Sequence, residues 1–239
     1  MSLVVLGNEL TKSESLFEDF CLRKGIIFQR INEGTSKSPD YLVSVFDTQL
    51  IVEVKQIEPN TEEKAILRTP MNEWDPADVY HWGLPGERIR KKISDAMPQL
   101  KKLSEGRHPT LLVILNTVAF WPELADNYAV QVAMYGIESA LISSEVASEG
   151  GAKILARWHG PRKRLTSECN TTLSGIALMD TDTPEVVLKV YHNYHAAIPL
   201  PGCKLMKLGI RQFEMPFEPG TTFPEWREIV PQPEREPDA

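Results

Sequence analysis

Hydrophobic positions in the first half of the chain follow a helical period, then a strand period, then a helical period again. Thr11 and Glu14 mark a helix start, and the apolar positions after them recur three or four apart. Runs of Val, Ile, Leu and Phe then lie on both sides of Asp47-Thr48, which predicts two strands joined by a two-residue turn. A second helical pattern runs from about Glu87 to Leu103. The apolar run Thr110 to Asn116 predicts a strand that closes the sheet.

Each predicted helix presents one apolar face. In the first helix the expected core residues are Leu16, Phe17, Phe20 and Cys21. In the second helix they are Ile89, Ile93, Ala96, Leu100 and Leu103. Four basic residues lie farther round the second helix, where we expect them to be exposed: Arg90, Lys91, Lys101 and Lys102.

The second predicted strand of the hairpin carries charges within an apolar run. Side chains two apart in a strand share a face, so Glu53 and Lys55 point one way while Val52, Val54 and Gln56 point the other. The apolar flanks on both faces are typical of a buried central strand. An edge-strand charge pair that discourages aggregation is the alternative interpretation.

The register of the hairpin brings a third charge to the same place. A turn at Asp47-Thr48 would pair Leu42 with Glu53 and Asp40 with Lys55. Directly opposed residues lie on one face, roughly 4.5 to 5.5 Å apart at Cβ. Asp40, Glu53 and Lys55 are therefore expected to converge at one end of the hairpin, provided that the turn has an even number of residues.

Two carboxylates at that spacing repel each other, and a cation or an ammonium group between them would relieve the repulsion. Oxygen ligands suit a hard cation such as Mg²⁺, which takes one or two carboxylates and keeps several waters. Lys55 adds a compact positive charge that can orient a water molecule and offset charge on a phosphate. The cluster therefore suits metal-assisted hydrolysis of a phosphodiester.

The motif carries a family resemblance. Pro39-Asp40, twelve intervening residues and then Glu53-Val54-Lys55 resemble the PD-(D/E)xK motif of restriction-endonuclease-like nucleases. Gln56 after the motif strengthens the likeness, as does the spacing of Glu14 and Gly25, which resembles Holliday-junction-resolvase-type cores. The resemblance covers residues 12 to about 116. It implies an α/β fold, with an α-β-β-β-α-β core around a mixed central sheet.

The resemblance also implies roles for individual residues. Asp40 and Glu53 would be ligands of Mg²⁺ or Mn²⁺, with the Val54 carbonyl as a further ligand. Lys55 would be the catalytic lysine, and Glu14 an outer ligand acting through water. Glu14 has an alternative role, because Thr11-Lys12-Ser13-Glu14 matches a capping box, in which the glutamate folds back onto the first amide of the helix.

Substrate contacts are expected from Gln56 and from a polar stripe on the second helix. The stripe consists of Arg88, Lys92, Asp95 and Gln99, which recur on one side of the helix. In restriction-endonuclease-like folds the corresponding helix flanks the metal site, so Arg88, Lys92 and Gln99 are candidate phosphate contacts. An ordinary solvated flank of an amphipathic helix is the alternative.

The rest of the chain predicts a larger architecture around this core. The core covers residues 1–120 and includes an irregular insertion at 58–85, whose Trp74 and Trp82 would stack on bases, form a lid or pack on the sheet. Residues 121–215 form a β-rich C-terminal extension, with a helix from about Leu124 to Tyr135 and several strands. A basic turn from Arg157 to Arg164 is a solvated loop or a phosphate contact. Residues 216–239 form a Pro-rich acidic tail, extended or partly disordered.

Composition changes the picture in two ways. The net charge of −7 weighs against a nuclease, because nucleic-acid affinity comes mostly from cationic contacts to phosphate. A partner subunit or a specific nucleic-acid structure is therefore expected to supply affinity. Three cysteines without a zinc spacing, and the lack of an apolar run near the ~20 residues of a membrane span, predict a cytoplasmic protein.

The expected function is that of a metal-dependent endonuclease that hydrolyses phosphodiester bonds, with DNA as the expected substrate. Double-strand cleavage would require two active sites and hence a homodimer. Two alternatives stay open. One is a non-catalytic nuclease-fold subunit for DNA binding or assembly, and the other is a metal-dependent hydrolase of a small phosphoester, for which Trp74 and Trp82 would cap a closed pocket.

Overall fold

The protein is a mixed α/β structure built around one large sheet. The computed structural model describes residues 10–31, 38–73, 83–118, 120–147, 151–216 and 225–231. The five α-helices of this part are α1 Lys12–Arg23, α2 Thr61–Ile66, α3 Glu87–Ser104, α4 Asn127–Tyr135 and α5 Gly202–Lys207. The main sheet contains β1 Ile27–Arg30, β2 Tyr41–Val45, β3 Thr48–Ile57, β4 Thr110–Asn116, β7 Leu173–Asp180, β8 Val187–His192, β9 Arg211–Glu214 and β10 Arg227–Glu228. A separate two-stranded sheet contains β5 Glu138–Ala147 and β6 Gly151–His159.

The main sheet mixes parallel and antiparallel strands in the spatial order β1-β2-β3-β4-β7-β8-β9-β10. The pairs β3/β4, β4/β7 and β8/β9 are parallel, and the remaining pairs are antiparallel. Strand β3 thus lies between two partners in the interior of the sheet. Its central position fits the apolar flanks that the sequence places around Glu53 and Lys55.

The predicted order of elements is observed over residues 12 to 116. Helix α1 is followed by β1, β2 and β3, and then by α3 and β4. The predicted irregular insertion is partly helical, because α2 and a 3-10 turn at Met71–Glu73 lie within it. Asn60 caps α2 by accepting from the Glu63 amide at 2.8 Å, and Glu63 returns the bond to the Asn60 amide. Trp74 and Trp82 lie outside the described residues.

Each face of the sheet supports its own hydrophobic core. One face packs against α3 and α4, and Ile51 and Ile57 of β3 belong to this core. The other face packs against α1, and Val52 and Val54 belong to that core together with Phe17. The alternation along β3 confirms the predicted faces and places Glu53 and Lys55 on the α3 side.

The hairpin turn differs from the prediction by one position. Phe46 and Asp47 form the turn, since Val45 pairs with Thr48 and Leu42 with Ile51. Phe46 takes the positive φ of 54° that tight hairpin turns require, an unusual conformation for an aromatic residue. The predicted pairs of Leu42 with Glu53 and Asp40 with Lys55 are therefore wrong. Because the shift amounts to two residues along the partner strand, every side chain keeps its predicted face.

The predicted span of helix α3 is confirmed, but the predicted exposure of two of its side chains is not. Ile89, Ile93, Ala96 and Leu100 are fully buried, whereas Leu103 is 36% exposed. Arg90 is 2% exposed, so the expectation that it faces solvent is wrong. Its guanidinium donates to the Pro85 carbonyl at 2.9 Å and lies 3.4 Å from the Val132 carbonyl, because α4 packs over this side of α3.

The C-terminal region mainly extends the sheet. The predicted helix from Leu124 begins as a 3-10 turn at Pro122–Ala125, and Asp126 then caps α4 through the Ala129 amide at 2.6 Å. The tail is in part ordered on the fold, since β10 pairs with β9 and Trp226 donates to the Asn127 carbonyl at 3.0 Å.

None of the helices in the described ranges is long and apolar enough to cross a lipid bilayer.

Candidate functional site

The three charged residues of the motif meet where β2 begins beside β3. Asp40 directly precedes β2, and its Oδ2 accepts the Val54 amide hydrogen at 2.7 Å. This bond continues the pairing of the two strands beyond Tyr41 and Val52. Lys55 forms an ion pair with the Glu53 carboxylate on the α3 side of the sheet. The structure therefore brings Asp40, Glu53 and Lys55 together, with Asp40 near Glu53 in the shifted register.

Glu53 is the most buried charge of the cluster. Its side chain has no exposed area, whereas that of Lys55 is 27% exposed. Burial and the neighbouring Asp40 carboxylate together raise the pKa of Glu53 to about 7, against the opposing attraction of Lys55. Burial lowers the pKa of Lys55, but the charge of Glu53 and the hydrogen bond to it outweigh this, and the net pKa lies above its ordinary value. The negative charge of Glu53 is thus incompletely compensated, and a further positive charge nearby would stabilise it.

Gln99 supplies a direct contact from helix α3 to the cluster. Its buried carboxamide lies against the Glu53 carboxylate, 3.0 Å from Oε2, in the orientation in which its NH₂ group donates. The sequence pattern suggested that Gln99 contacts phosphate. In the structure its amide group is engaged by Glu53, so it positions the carboxylate.

The other two stripe residues have different surroundings. Arg88 donates to the Glu58 carbonyl at 2.9 Å and pairs with the buried carboxylate of Glu63 at 2.5 Å, so its guanidinium holds α2 to the start of α3. Lys92 is half-buried on the side of Lys55. Burial lowers the pKa of Lys92, the adjacent Asp95 opposes this, and the positive charge of Lys55 lowers the pKa further. Of the two cations, Lys92 is the one placed near the cluster.

Glu14 occupies the capping position that the sequence offered as an alternative. Its Oε2 accepts the Thr11 amide at 2.7 Å and the Thr11 hydroxyl at 2.6 Å. Helix α1 packs on the opposite face of the sheet from Glu53. The charge of Glu14 still reaches Lys55, whose pKa it helps to raise. The capping role is confirmed, and the role as an outer metal ligand stays a prediction.

Gln56 follows the motif on the other face of β3. Its amide nitrogen donates to Glu58 at 2.5 Å, while its buried carbonyl oxygen has no hydrogen-bond partner within the described part of the chain. A buried acceptor without a donor costs free energy unless a ligand or water supplies one. Gln56 therefore keeps a free acceptor one residue beyond Lys55.

Sequence reasoning missed a second ionic network next to the cluster. The Glu18 carboxylate of α1 accepts two hydrogen bonds from the Arg30 guanidinium, the longer at 2.7 Å. It also accepts one from the Tyr41 hydroxyl at 2.8 Å. Burial raises the pKa of Glu18, but its bonds to Arg30 and Tyr41 outweigh this and the net pKa is lowered. The residues are distant in sequence, and the helical position of Glu18 beside the core stripe was the available signal. The network holds Tyr41, the residue that follows Asp40, in place.

A divalent cation would have two carboxylates and the Val54 carbonyl as candidate ligands here. Asp40 and Glu53 suit a hard cation, since their mutual repulsion already raises the pKa of Glu53. Within the described ranges, no three side chains of His, Cys, Asp or Glu are grouped so that they could hold a metal ion.

Comparison with known proteins finds no matching family model, no similar curated protein and no similar solved structure.

Proposed function

We propose that the protein is a metal-dependent nuclease of the restriction-endonuclease-like superfamily and that it cleaves DNA. The observation that carries the proposal is the meeting of Asp40, Glu53 and Lys55 on one side of a hairpin in the order of the PD-(D/E)xK motif. The α-β-β-β-α-β order of elements around that hairpin supports it.

Each residue of the cluster has a defined part in this proposal. Asp40 and Glu53 would hold a Mg²⁺ or Mn²⁺ ion, which polarises the scissile phosphate and activates water when bound. Lys55 would donate hydrogen bonds to a phosphate oxygen and offset its developing charge. Gln99 holds the Glu53 carboxylate toward the cluster. The partly buried charge of Lys92 would add attraction for the phosphate backbone.

The proposal is tested by cleavage of linear, branched and single-stranded DNA with Mg²⁺ or Mn²⁺. Asp40→Asn keeps an oxygen for the Val54 amide, and Lys55→Ala removes the ammonium group. We expect each substitution to lower the rate of cleavage by about a hundredfold or more, as the loss of a catalytic group usually does. Lys91→Ala, at an exposed position of the same helix as Lys92, should cleave normally.

Cleavage that survives both substitutions, or cleavage that needs no divalent cation, would contradict the proposal. Circular dichroism and urea unfolding of each variant would separate loss of catalysis from loss of folding.

One observation favours a second candidate, a nuclease-fold module that binds DNA without cutting it. Lys55 and Gln99 both donate hydrogen bonds to the Glu53 carboxylate from within the chain, so the cluster can form without a metal. In that case DNA binding would be retained in Lys55→Ala, and the intact protein would cleave none of the substrates.

A further inference from the structure

The turn that follows β6 carries a dense positive charge on an otherwise acidic chain. Arg162, Lys163 and Arg164 are consecutive and exposed. Arg162 has a positive φ of 68°, and its guanidinium lies 3.9 Å from the Glu87 carboxylate. Glu87 also pairs with Arg90 at 2.8 Å, so one carboxylate is shared among several cations. The turn is therefore a cationic surface on a protein of net charge −7.

Two aromatic rings lie near this turn at the end of α4, because the Arg164 amide donates to the Met134 carbonyl at 3.1 Å and the ring of Tyr135, the next residue, lies 6.1 Å from that of His195. The Tyr194 side chain is 59% exposed, and its ring lies edge-on to that of His195 with centroids 5.3 Å apart. The Tyr194 amide donates to the hydroxyl of buried Tyr135 at 3.1 Å, which fixes the backbone beneath the ring. Lys163 lies close enough to His195 for its charge to add to the effect of burial, and both lower the pKa of the imidazole.

Helix α3 connects this surface with the carboxylate cluster. Glu87, the contact of Arg162, begins the helix, and Lys92 lies five residues later, which is about 7.5 Å along the axis. The charge of Lys55 lowers the pKa of Lys92, so the two cations lie near each other. A strand that crosses Lys55 and Lys92 and continues toward the start of α3 would therefore approach the basic turn.

We propose that Arg162, Lys163, Arg164, Tyr194 and His195, here called the basic-aromatic patch, bind a single-stranded segment of nucleic acid. The cations attract the phosphates, and the exposed ring of Tyr194 offers a surface on which an unpaired base can stack. Stacking requires bases that are not already paired, which favours single strands, flaps or the open ends of branched DNA. The inference rests on the proposed function, because it names the form of substrate that this nuclease would engage.

Binding can be measured apart from cleavage, with the intact chain in EDTA and a fluorescent oligothymidylate of about 16 nucleotides, a common upper site size. We expect Tyr194→Ala to weaken binding by about tenfold through loss of stacking. The double variant Lys163→Ala, Arg164→Ala should lower the slope of log K against log salt by about 0.7 for each lost contact.

Matched controls test whether the effects belong to the patch. Phe46→Ala removes a ring of similar exposure, 61%, from the β2–β3 turn, and Lys101→Ala removes an exposed lysine from the other end of α3; both should bind as the unmodified protein does. Normal binding by Tyr194→Ala and by the double variant would overturn the inference. Equal affinity for duplex and single-stranded DNA would also overturn it. Binding that is weakened by the double variant but not by Tyr194→Ala would overturn it as well, because it would indicate a surface that binds any polyanion, such as an acidic peptide.

The outcome also separates the two proposals. Binding that depends on the patch, in a protein that cleaves nothing with Mg²⁺ or Mn²⁺, would leave the patch standing and remove the nuclease. Cleavage that depends on Asp40 and Lys55, together with normal binding by the patch variants, would do the reverse.

Discussion

Arg90, on helix α3, and Glu53, on the strand that α3 covers, are both buried, but their charges are compensated to different degrees. Arg90 lies between α3 and α4, where the Pro85 and Val132 carbonyls and the half-exposed Glu87 carboxylate accept its hydrogen bonds. Glu53 lies between β3 and α3, where Lys55 and Gln99 donate to it and Asp40 repels it. Oxygen acceptors therefore surround the Arg90 guanidinium, whereas the surroundings of Glu53 raise the pKa of its carboxyl group to about 7.

The difference distinguishes a buried charge that supports the fold from one that the fold tolerates. Buried charges are costly unless paired and hydrogen-bonded, and an imperfectly compensated group with a perturbed pKa is typical of functional sites. Removal of the charge at Arg90 should destabilise the folded protein. Removal of the charge at Glu53 should stabilise the folded protein when the pH is high.

The largest expected effect is at Arg90. Arg90→Ala should lower the free energy of unfolding by about 4 kcal/mol, because it leaves a cavity and deprives the Pro85 carbonyl of its donor. Urea unfolding near neutral pH measures the change. Arg107→Ala, at a side chain that is 77% exposed, should change the stability by less than about 0.5 kcal/mol. A loss at Arg90 no larger than that of the control would contradict its structural role.

The next effect is a dependence of stability on pH at Glu53. Its pKa is higher in the folded protein, about 7, than its ordinary value of 4.5, so the stability it contributes is present at low pH and is lost as the pH rises through 7. At about 1.4 kcal/mol per pKa unit, the loss is about 3 kcal/mol. Glu53→Gln should remove this loss, so that the variant gains stability relative to the unmodified protein between about pH 5 and pH 8.

Urea unfolding of both proteins across this range is the measurement, and the difference between them is the quantity to follow. The pKa values of His192 and His195 are lowered by burial, which weakens the fold at acid pH, but this effect is common to both proteins and cancels. A difference that is constant with pH would show that Glu53 is already ionised in the folded protein at the acid end.

The smallest effect is expected at Gln99. Gln99→Leu removes a donor from the buried Glu53 carboxylate and should cost about 1.5 kcal/mol at alkaline pH, and less at acid pH where Glu53 is protonated. Gln131→Leu is the matched control, since both glutamines are 8% exposed and Gln131 lies in α4 away from the cluster. Its effect should not change with pH. If Gln99→Leu were equally independent of pH, the contact with Glu53 would carry no electrostatic weight.

The site was predictable in its composition but not in its register. The period of two along β3 was enough to place Glu53 and Lys55 on one face, and the observed cores confirm it. The turn was misplaced because Phe46 is an unusual residue at positive φ, so that Thr48 was the more plausible partner for Asp47 in the turn. The predicted cluster still forms because the register shift is an even number of residues. A shift of one residue would have moved the charges to the opposite face.

Residues whose environment depends on distant segments were the ones predicted wrongly or not at all. Arg90 is basic and lies beside the apolar stripe, and only the packing of α4, whose Val132 carbonyl faces the guanidinium, makes it a buried residue. Helix α2 is different, because Asn60 and Glu63 form a capping box that local sequence could have revealed.

The sequence by itself determined the elements of the first half, their order and the three charges of the motif, because these depend on local periodicity and spacing. Tertiary structure decided which charges are compensated. Gln99 reaches Glu53 only because α3 crosses β3, and His195 lies near Lys163 only because β8 ends near the turn after β6. Contacts between residues far apart in the chain are set by the packing of whole elements, which no local pattern encodes.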